Sequence, residues 1–194
     1  MDEIKEIKKL SEGFNSVIYH IRFTNGCAYI AKHYLSRPYN PRNRLQSEFG
    51  ALTFLWKLGV RQVPEPILKD QQEEIGIYGY IEGEKVKPIQ ISKKLILQAC
   101  DFLDTCYRLS KEKDARALGQ AADPCIRIDT FMRSIERRVA FLSKVTDGSL
   151  ARFLEDDFKP FFTFIKSEIA MTKPLPKPTL TLSPSDFGFH NALV

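Results

Sequence analysis

Two runs of alternating apolar residues flank Asn25-Gly26, and this pairing constrains the fold more than any other feature of the chain. Val17, Tyr19, Ile21 and Phe23 alternate with Ile18, His20 and Arg22, and Cys27-Ala28-Tyr29-Ile30-Ala31-Lys32 returns after the glycine. Asn-Gly is the strongest short hairpin signal, so two antiparallel strands are expected across residues 16–34. The proline-bearing stretch from Ser36 to Arg42 reads as a loop. From Arg44 to Leu58 the period becomes helical. Leu45, Phe49, Leu52, Leu55 and Trp56 share one face, and Gly59 ends the run as a helix C-terminal glycine does. Val63-Pro64-Glu65-Pro66 is held extended by its prolines. Ile67–Lys69 and Ile75–Ile81 are expected as two more strands, joined by the polar turn from Asp70 to Glu74. The first part of the chain is thus a small antiparallel sheet with one helix packed on it.

Beyond Glu82-Gly83 the pattern is mainly helical. Ser92 is a suitable N-cap for a helix with Leu95, Ile96, Ala99, Phe102, Leu103 and Cys106 inward. A second helix is expected from about Asp129 to Lys144, with Phe131, Met132, Ile135, Val139 and Leu142 inward. A phenylalanine-rich stretch from Leu150 to Met171 is expected to break near Pro160. Thr172–Pro178 reads as an extended connector, and Thr179–Leu182 as a short strand.

A chain of 194 residues can bury one core or two modest lobes. No apolar run is long enough to span a bilayer, and the charged start MDEIKEIKKL has no secretory character, so a cytoplasmic address without membrane contact is expected. Cys27, Cys100, Cys106 and Cys125 form no Cys-x-x-Cys pair, and with three histidines there is no zinc spacing. They are expected to be reduced thiols. The net charge of +5 favours anionic partners; a phosphate-rich ligand fits it. Nucleic acid fits the charge as well, but no basic run is interleaved with aromatics.

Phosphoryl transfer needs a loop over the phosphates, a lysine to neutralise them, an acid to hold that lysine, a base for the acceptor hydroxyl, and metal ligands. Gly13 in Ser11-Glu12-Gly13-Phe14-Asn15-Ser16 permits close backbone approach. Asn15 and Ser16 are suited either to shaping a turn or to donating to a phosphate. Lys32 ends an apolar strand on the face of Ile30; it either snorkels there or serves as a phosphate lysine held by a carboxylate. Glu48, sixteen positions on and beside Phe49 and Leu52, is the candidate carboxylate. A desolvated pair of this kind costs several kcal/mol to break. The strand running into Glu82-Gly83-Glu84 is either an ordinary strand end or a hinge, where free backbone groups from Gly79 to Ile81 would meet an adenine edge. Glu155-Asp156-Asp157 is read as a solvated helix start rather than a metal site.

The decisive segment is Leu182-Ser183-Pro184-Ser185-Asp186-Phe187-Gly188-Phe189-His190-Asn191. Asp186 and Asn191 stand five positions apart, the base-to-metal-ligand spacing of a kinase catalytic loop. On these residues, and on the order Lys32, Glu48, hinge, helices, Asp186, Asn191, the chain resembles the aminoglycoside phosphotransferase and choline kinase-like family. Pro184-Ser185 stands where that family has His-Gly, and His190 replaces its common glycine. The resemblance implies an α+β, protein-kinase-like two-lobe fold. Residues 1–82 would be the antiparallel-sheet N-lobe and residues 83–194 an incomplete helical C-lobe. It implies ATP and Mg2+ as cofactors and a small-molecule alcohol as acceptor. Gly13, Asn15, Ser16, Lys32, Glu48, Gly79 and Ile81 would bind the nucleotide. Asp186 would act as base and Asn191 as metal ligand. The family's second metal-binding acid has no counterpart between Asn191 and Val194, so poor metal affinity and slow or no transfer are expected. A catalytically dead nucleotide-binding or scaffold protein is the alternative with the same fold.

Overall fold

The computed structural model describes residues 3–35, 43–119, 127–171, 180–184 and 186–194. It is an α+β chain in two compact units, Met1–Gly119 with Thr181–Val194, and Gln120–Leu180. Each is described by itself. The residue 82/83 boundary expected between lobes falls inside the first unit.

The first unit is built on a five-stranded antiparallel sheet, ordered β1-β2-β3-β5-β4. Strand β1 is Ile4–Glu12, β2 Ser16–Phe23, β3 Ala28–Tyr34, β4 Pro66–Asp70 and β5 Ile75–Gly79. The hairpin at Asn25-Gly26 forms as expected. Gly26 sits at φ 88°, and the Asn25 side chain accepts from the Cys27 amide at 2.9 Å. Strand β1 was not assigned from the sequence. All its residues are exposed, and two bulges interrupt its pairing with β2, so its apolar residues do not alternate. Its lysines mark it as a solvated edge, where charge deters pairing with other chains.

Helix α1, Arg44–Lys57, starts where the Asn43 side chain accepts from the Gln46 amide at 2.7 Å and ends before Gly59 at φ 86°. Leu45 is buried to 1% exposure beside the sheet-facing stripe. Phe54, on the opposite side of the helix, is buried as well, and it faces residues 112–114 across a shared cavity. A periodicity count cannot see a second neighbour contributed by distant chain.

Helix α2, Lys93–Leu109, is capped by Ser92 as expected. Its inward stripe is Leu95, Ala99 and Phe102, all half-buried, with Cys106 buried; Ile96 and Leu103, expected inward, are 48% and 40% exposed. The segment after the sheet closes against the end of the chain. Glu84 and Val194 exchange backbone hydrogen bonds at 2.9 and 3.0 Å. Gly83 makes this possible, since a Cβ there would come within 3.1 Å of both Leu193 Cβ and the Val194 carbonyl oxygen. Leu180–Leu182 is not a strand.

In the second unit, α3 (Ile128–Leu142) buries Met132, while Phe131 and Leu142 are exposed, contrary to expectation. The helix does not break at Pro160. Helix α4, Gly148–Arg152, passes through a wider π-helical turn, Phe153–Phe158, into α5, Lys159–Met171. Proline lacks the N–H for an ordinary i to i−4 bond, and the π-turn absorbs the loss without interrupting the helix. Glu155, Asp156 and Asp157 are solvated but lie within this turn rather than at a helix start. The expected loop at 36–42 and connector at 172–178 lie outside the described residues, as does Cys125. Among the described residues, no helix is long and apolar enough to cross a membrane.

Candidate active site

Lys32 lies on β3 opposite Ile18 of β2 and Gly76 of β5. Cross-strand partners share a sheet face, and so do alternate residues of one strand. Ile18, His20, Ile30, Lys32, Tyr34, Gly76 and Tyr78 therefore form one face. Helix α1 packs on it through Phe49, whose ring centroid is 5.9 Å from that of Tyr78. The helix also brings Glu48 to Lys32. The ammonium donates to both carboxylate oxygens, at 2.8 and 2.7 Å. The expected pair forms, but it is not desolvated. The Lys32 side chain is 22% exposed and that of Glu48 40%, so breaking the pair costs about 1 kcal/mol of stability rather than several. A lysine held in place yet reached by solvent is placed to meet an anionic ligand.

Beneath the pair lie two residues that the sequence reading missed. Tyr34 and Tyr78 are 4% and 3% exposed and share a hydrogen bond between their hydroxyls at 2.8 Å. Lys32 Nζ sits 5.0 Å from the centre of the Tyr34 ring. Tyr34 was legible in part, standing two residues after Lys32 on the same strand. Tyr78 was not, because its place follows from β5 inserting between β3 and β4. Burial holds both hydroxyls in the protonated form, with the Glu48 charge acting the same way. Tyr34 is raised well above the usual tyrosine range and Tyr78 is pushed up to about 12. Groups whose folded pKa is raised stabilise fully below the unfolded value of about 10, and that stability is lost as pH climbs past it. The urea midpoint should therefore fall as pH rises beyond about 10. Replacing both tyrosines with phenylalanine should flatten this fall, and a wild-type midpoint level across that range would contradict it.

Gly76 has a steric reason. A Cβ at this position would meet the Tyr78 hydroxyl at 2.5 Å and the ring at 2.7 Å. The ring is buried and cannot step aside freely, so Gly76→Ala should cost about 1–3 kcal/mol in urea denaturation. An unchanged midpoint would show that the ring moves without loss.

The turn joining β1 and β2 holds Gly13 and Asn15, and Ser16 opens β2. The Gly13 amide donates to the Ser16 carbonyl and the Leu35 amide to the Asn15 carbonyl, both at 2.9 Å. The Asn15 and Ser16 side chains make no hydrogen bond among the described residues. Added bulk at Gly13 would meet only the Ser16 carbonyl, at an ordinary 3.7 Å, so the fold itself does not demand glycine there.

Gly79 departs from expectation. Its amide is not free but donates to the Glu65 carbonyl at 2.8 Å, and its missing side chain lets Glu65 pass closely. Strand β5 ends at this residue, leaving Tyr80 and Ile81 beyond the sheet. The Ile81 backbone makes no hydrogen bond among the described residues.

Asp186, His190 and Asn191 converge in the loop before the chain end. Asp186 has φ 56°, a left-handed conformation that aspartate tolerates better than most residues but that still carries strain. The Asn191 amide nitrogen donates to the Asp186 carbonyl at 2.9 Å and to Oδ2 at 3.1 Å, and His190 Nε2 lies 3.2 Å from Oδ1. Asn191 Oδ1 has no partner among the described residues. This amide oxygen and the Asp186 carboxylate are the hard donors that suit Mg2+; the His190 imidazole is not. Phe187 stacks on Phe102 of α2 at 5.6 Å and anchors the loop. Among the described residues, no hydrogen bond or ion pair joins this cluster to Lys32 or Glu48.

No family model matches the chain, and no curated protein matches it. Among solved structures it is similar to the Rio2 kinase–ADP/Mg2+–phosphoaspartate complex from Chaetomium thermophilum. The TM-score is 0.43 and the identity 14%, over 86% of this chain and 71% of that one.

Proposed function

We propose that the chain binds ATP and transfers its terminal phosphoryl group to a small-molecule hydroxyl, in the manner of aminoglycoside phosphotransferase and choline kinase-like enzymes. The observation that carries this reading is the Lys32 ammonium gripped by both oxygens of Glu48 on a partly open sheet face. An ammonium so placed neutralises nucleotide phosphates without having to be ordered at the moment of binding. Gly13, Asn15 and Ser16 would close over the phosphates with backbone and side-chain donors. Asn191 would hold Mg2+ through Oδ1 together with the phosphates; the ion, when bound, neutralises charge on the oxygens being transferred. Asp186 would take the proton of the acceptor hydroxyl as its oxygen bonds to phosphorus and ADP departs.

The test is to incubate the protein with ATP, Mg2+ and a panel of amino alcohols, sugars and nucleosides, following ADP release and phosphorylated product. Acceptor-dependent ADP release that is lost with Lys32→Ala supports the reading. Failure to bind ATP at all would sink it.

A second reading, nucleotide binding without transfer, is favoured by one observation. Both carboxylate oxygens of Asp186 already accept or share a hydrogen bond within the loop, with Asn191 and His190, which weakens their pull on an acceptor proton. ATP binding without acceptor-dependent turnover would select this reading.

A further inference from the structure

His20 is a buried polar side chain that the phosphate chemistry leaves unused. It is 8% exposed, and its Nε2 is buried with no hydrogen-bond partner among the described residues. Buried polar nitrogens are nearly always paired, because an unpaired one forfeits its hydration without compensation. Strand register gives the residue its place. His20 opposes Ile30, and Ile30 opposes Tyr78, so the imidazole shares the face of Lys32 and lies roughly 7 Å further along the strands, about two residues. The displacement runs toward the end of β5, where the chain leaves the sheet. There the Tyr80 ring covers His20, with centroids 4.4 Å apart and planes inclined by 31°. Tyr80 itself is 39% exposed.

Along this face from Lys32 lie an apolar floor at Ile30, the Tyr80 ring and a nitrogen without a partner among the described residues, the features a nucleotide base would meet if its phosphates sat at Lys32. We propose that His20 reads the base of the bound nucleotide. The Tyr80 ring moves from His20 onto the heterocycle, and the Nε2 it uncovers exchanges a hydrogen bond with the polar edge of a purine. The proposal rests on Lys32 being the phosphate lysine.

The experiment measures binding of ATP, GTP and inorganic tripolyphosphate to the wild type, His20→Leu, His20→Gln and Lys32→Ala, together with thermal unfolding of each free protein. His20→Leu should weaken ATP about tenfold, equivalent to about 1.4 kcal/mol, and leave tripolyphosphate unchanged. It should also raise the unfolding midpoint of the free protein, since the unpaired nitrogen is gone. His20→Gln should restore ATP affinity, and the preference between ATP and GTP should shrink in His20→Leu. Lys32→Ala should weaken all three ligands. Equal ATP binding by wild type and His20→Leu, or equal loss of ATP and tripolyphosphate, would overturn the base contact while leaving the phosphate site standing. A His20→Leu protein that is destabilised or unfolded would overturn it too, by showing the imidazole to be structural. A wild type that binds neither ATP nor tripolyphosphate would overturn both this proposal and the function on which it rests.

Discussion

Asp186→Ala is expected to slow acceptor phosphorylation by about 10²–10⁴-fold relative to wild type while leaving ATP affinity nearly unchanged. The reasoning starts from the loop geometry. Asp186 is held by Asn191 through both its carbonyl and Oδ2, and by His190 through Oδ1, in a backbone conformation with φ 56°. Strain of this sort is retained where surrounding contacts over-determine it, and such positions cluster at functional sites. Among the described residues the carboxylate has no hydrogen bond to Lys32, Glu48 or the β1–β2 turn, and its one link to the nucleotide site is through Asn191, so its removal should register mainly in the chemical step. Alanine tolerates the left-handed backbone less well than aspartate, so some stability should be lost and the rates are compared on protein shown to be folded. Rates and ATP dissociation constants measured on the same preparations would check this. Undiminished transfer by Asp186→Ala would remove Asp186 as the base.

Lys32→Ala has the opposite signature. Charge-assisted hydrogen bonds to phosphate contribute about 1.5–3 kcal/mol each, so ATP affinity should fall about 10- to 100-fold. The stability cost should be only about 1 kcal/mol, because the Lys32–Glu48 pair is 22% and 40% exposed and water already screens it. Glu48→Gln should give a smaller loss of affinity, since the lysine survives but loses its bidentate anchor. Calorimetric titration with ATP beside urea denaturation separates these effects. A large loss of stability with intact ATP affinity would show Lys32 to be a structural cation.

The separation between binding and chemistry also explains why the two halves of the site were not equally readable. The Lys32–Glu48 pairing was legible because each residue sits beside apolar neighbours that dictate its facing: Ile30 on the strand, Phe49 and Leu52 on the helix. Alternation and helical period allowed the pair, and the need of phosphoryl transfer for a held lysine singled it out from a snorkelling lysine and a solvated glutamate. The Asp186–Asn191 spacing was legible as a motif, yet the part played by His190 was not. Its contact with Asp186 depends on a left-handed backbone that sequence period does not report. Gly79 shows the reverse error. It lies next to an acidic, glycine-containing bend, which suggested a free backbone edge, but Glu65 had already taken its amide. Strand β1 was hidden for another reason. Two bulges break its alternation, and an edge strand has little apolar face to display.

What the sequence determined by itself was local. Asn25-Gly26 set a hairpin, Gly59 ended a helix, and Ser92 opened another, because turn and cap chemistry act over a few residues. Tertiary structure decided what lies far apart in the chain. It set β5 beside β3, so that Tyr78 reaches Tyr34 over Gly76. It also buried Phe54 on the helix side facing residues 112–114 and left the His20 nitrogen without a partner among the described residues. These outcomes depend on which surfaces meet once the sheet has closed, and contacts between distant segments leave no periodic trace in either one.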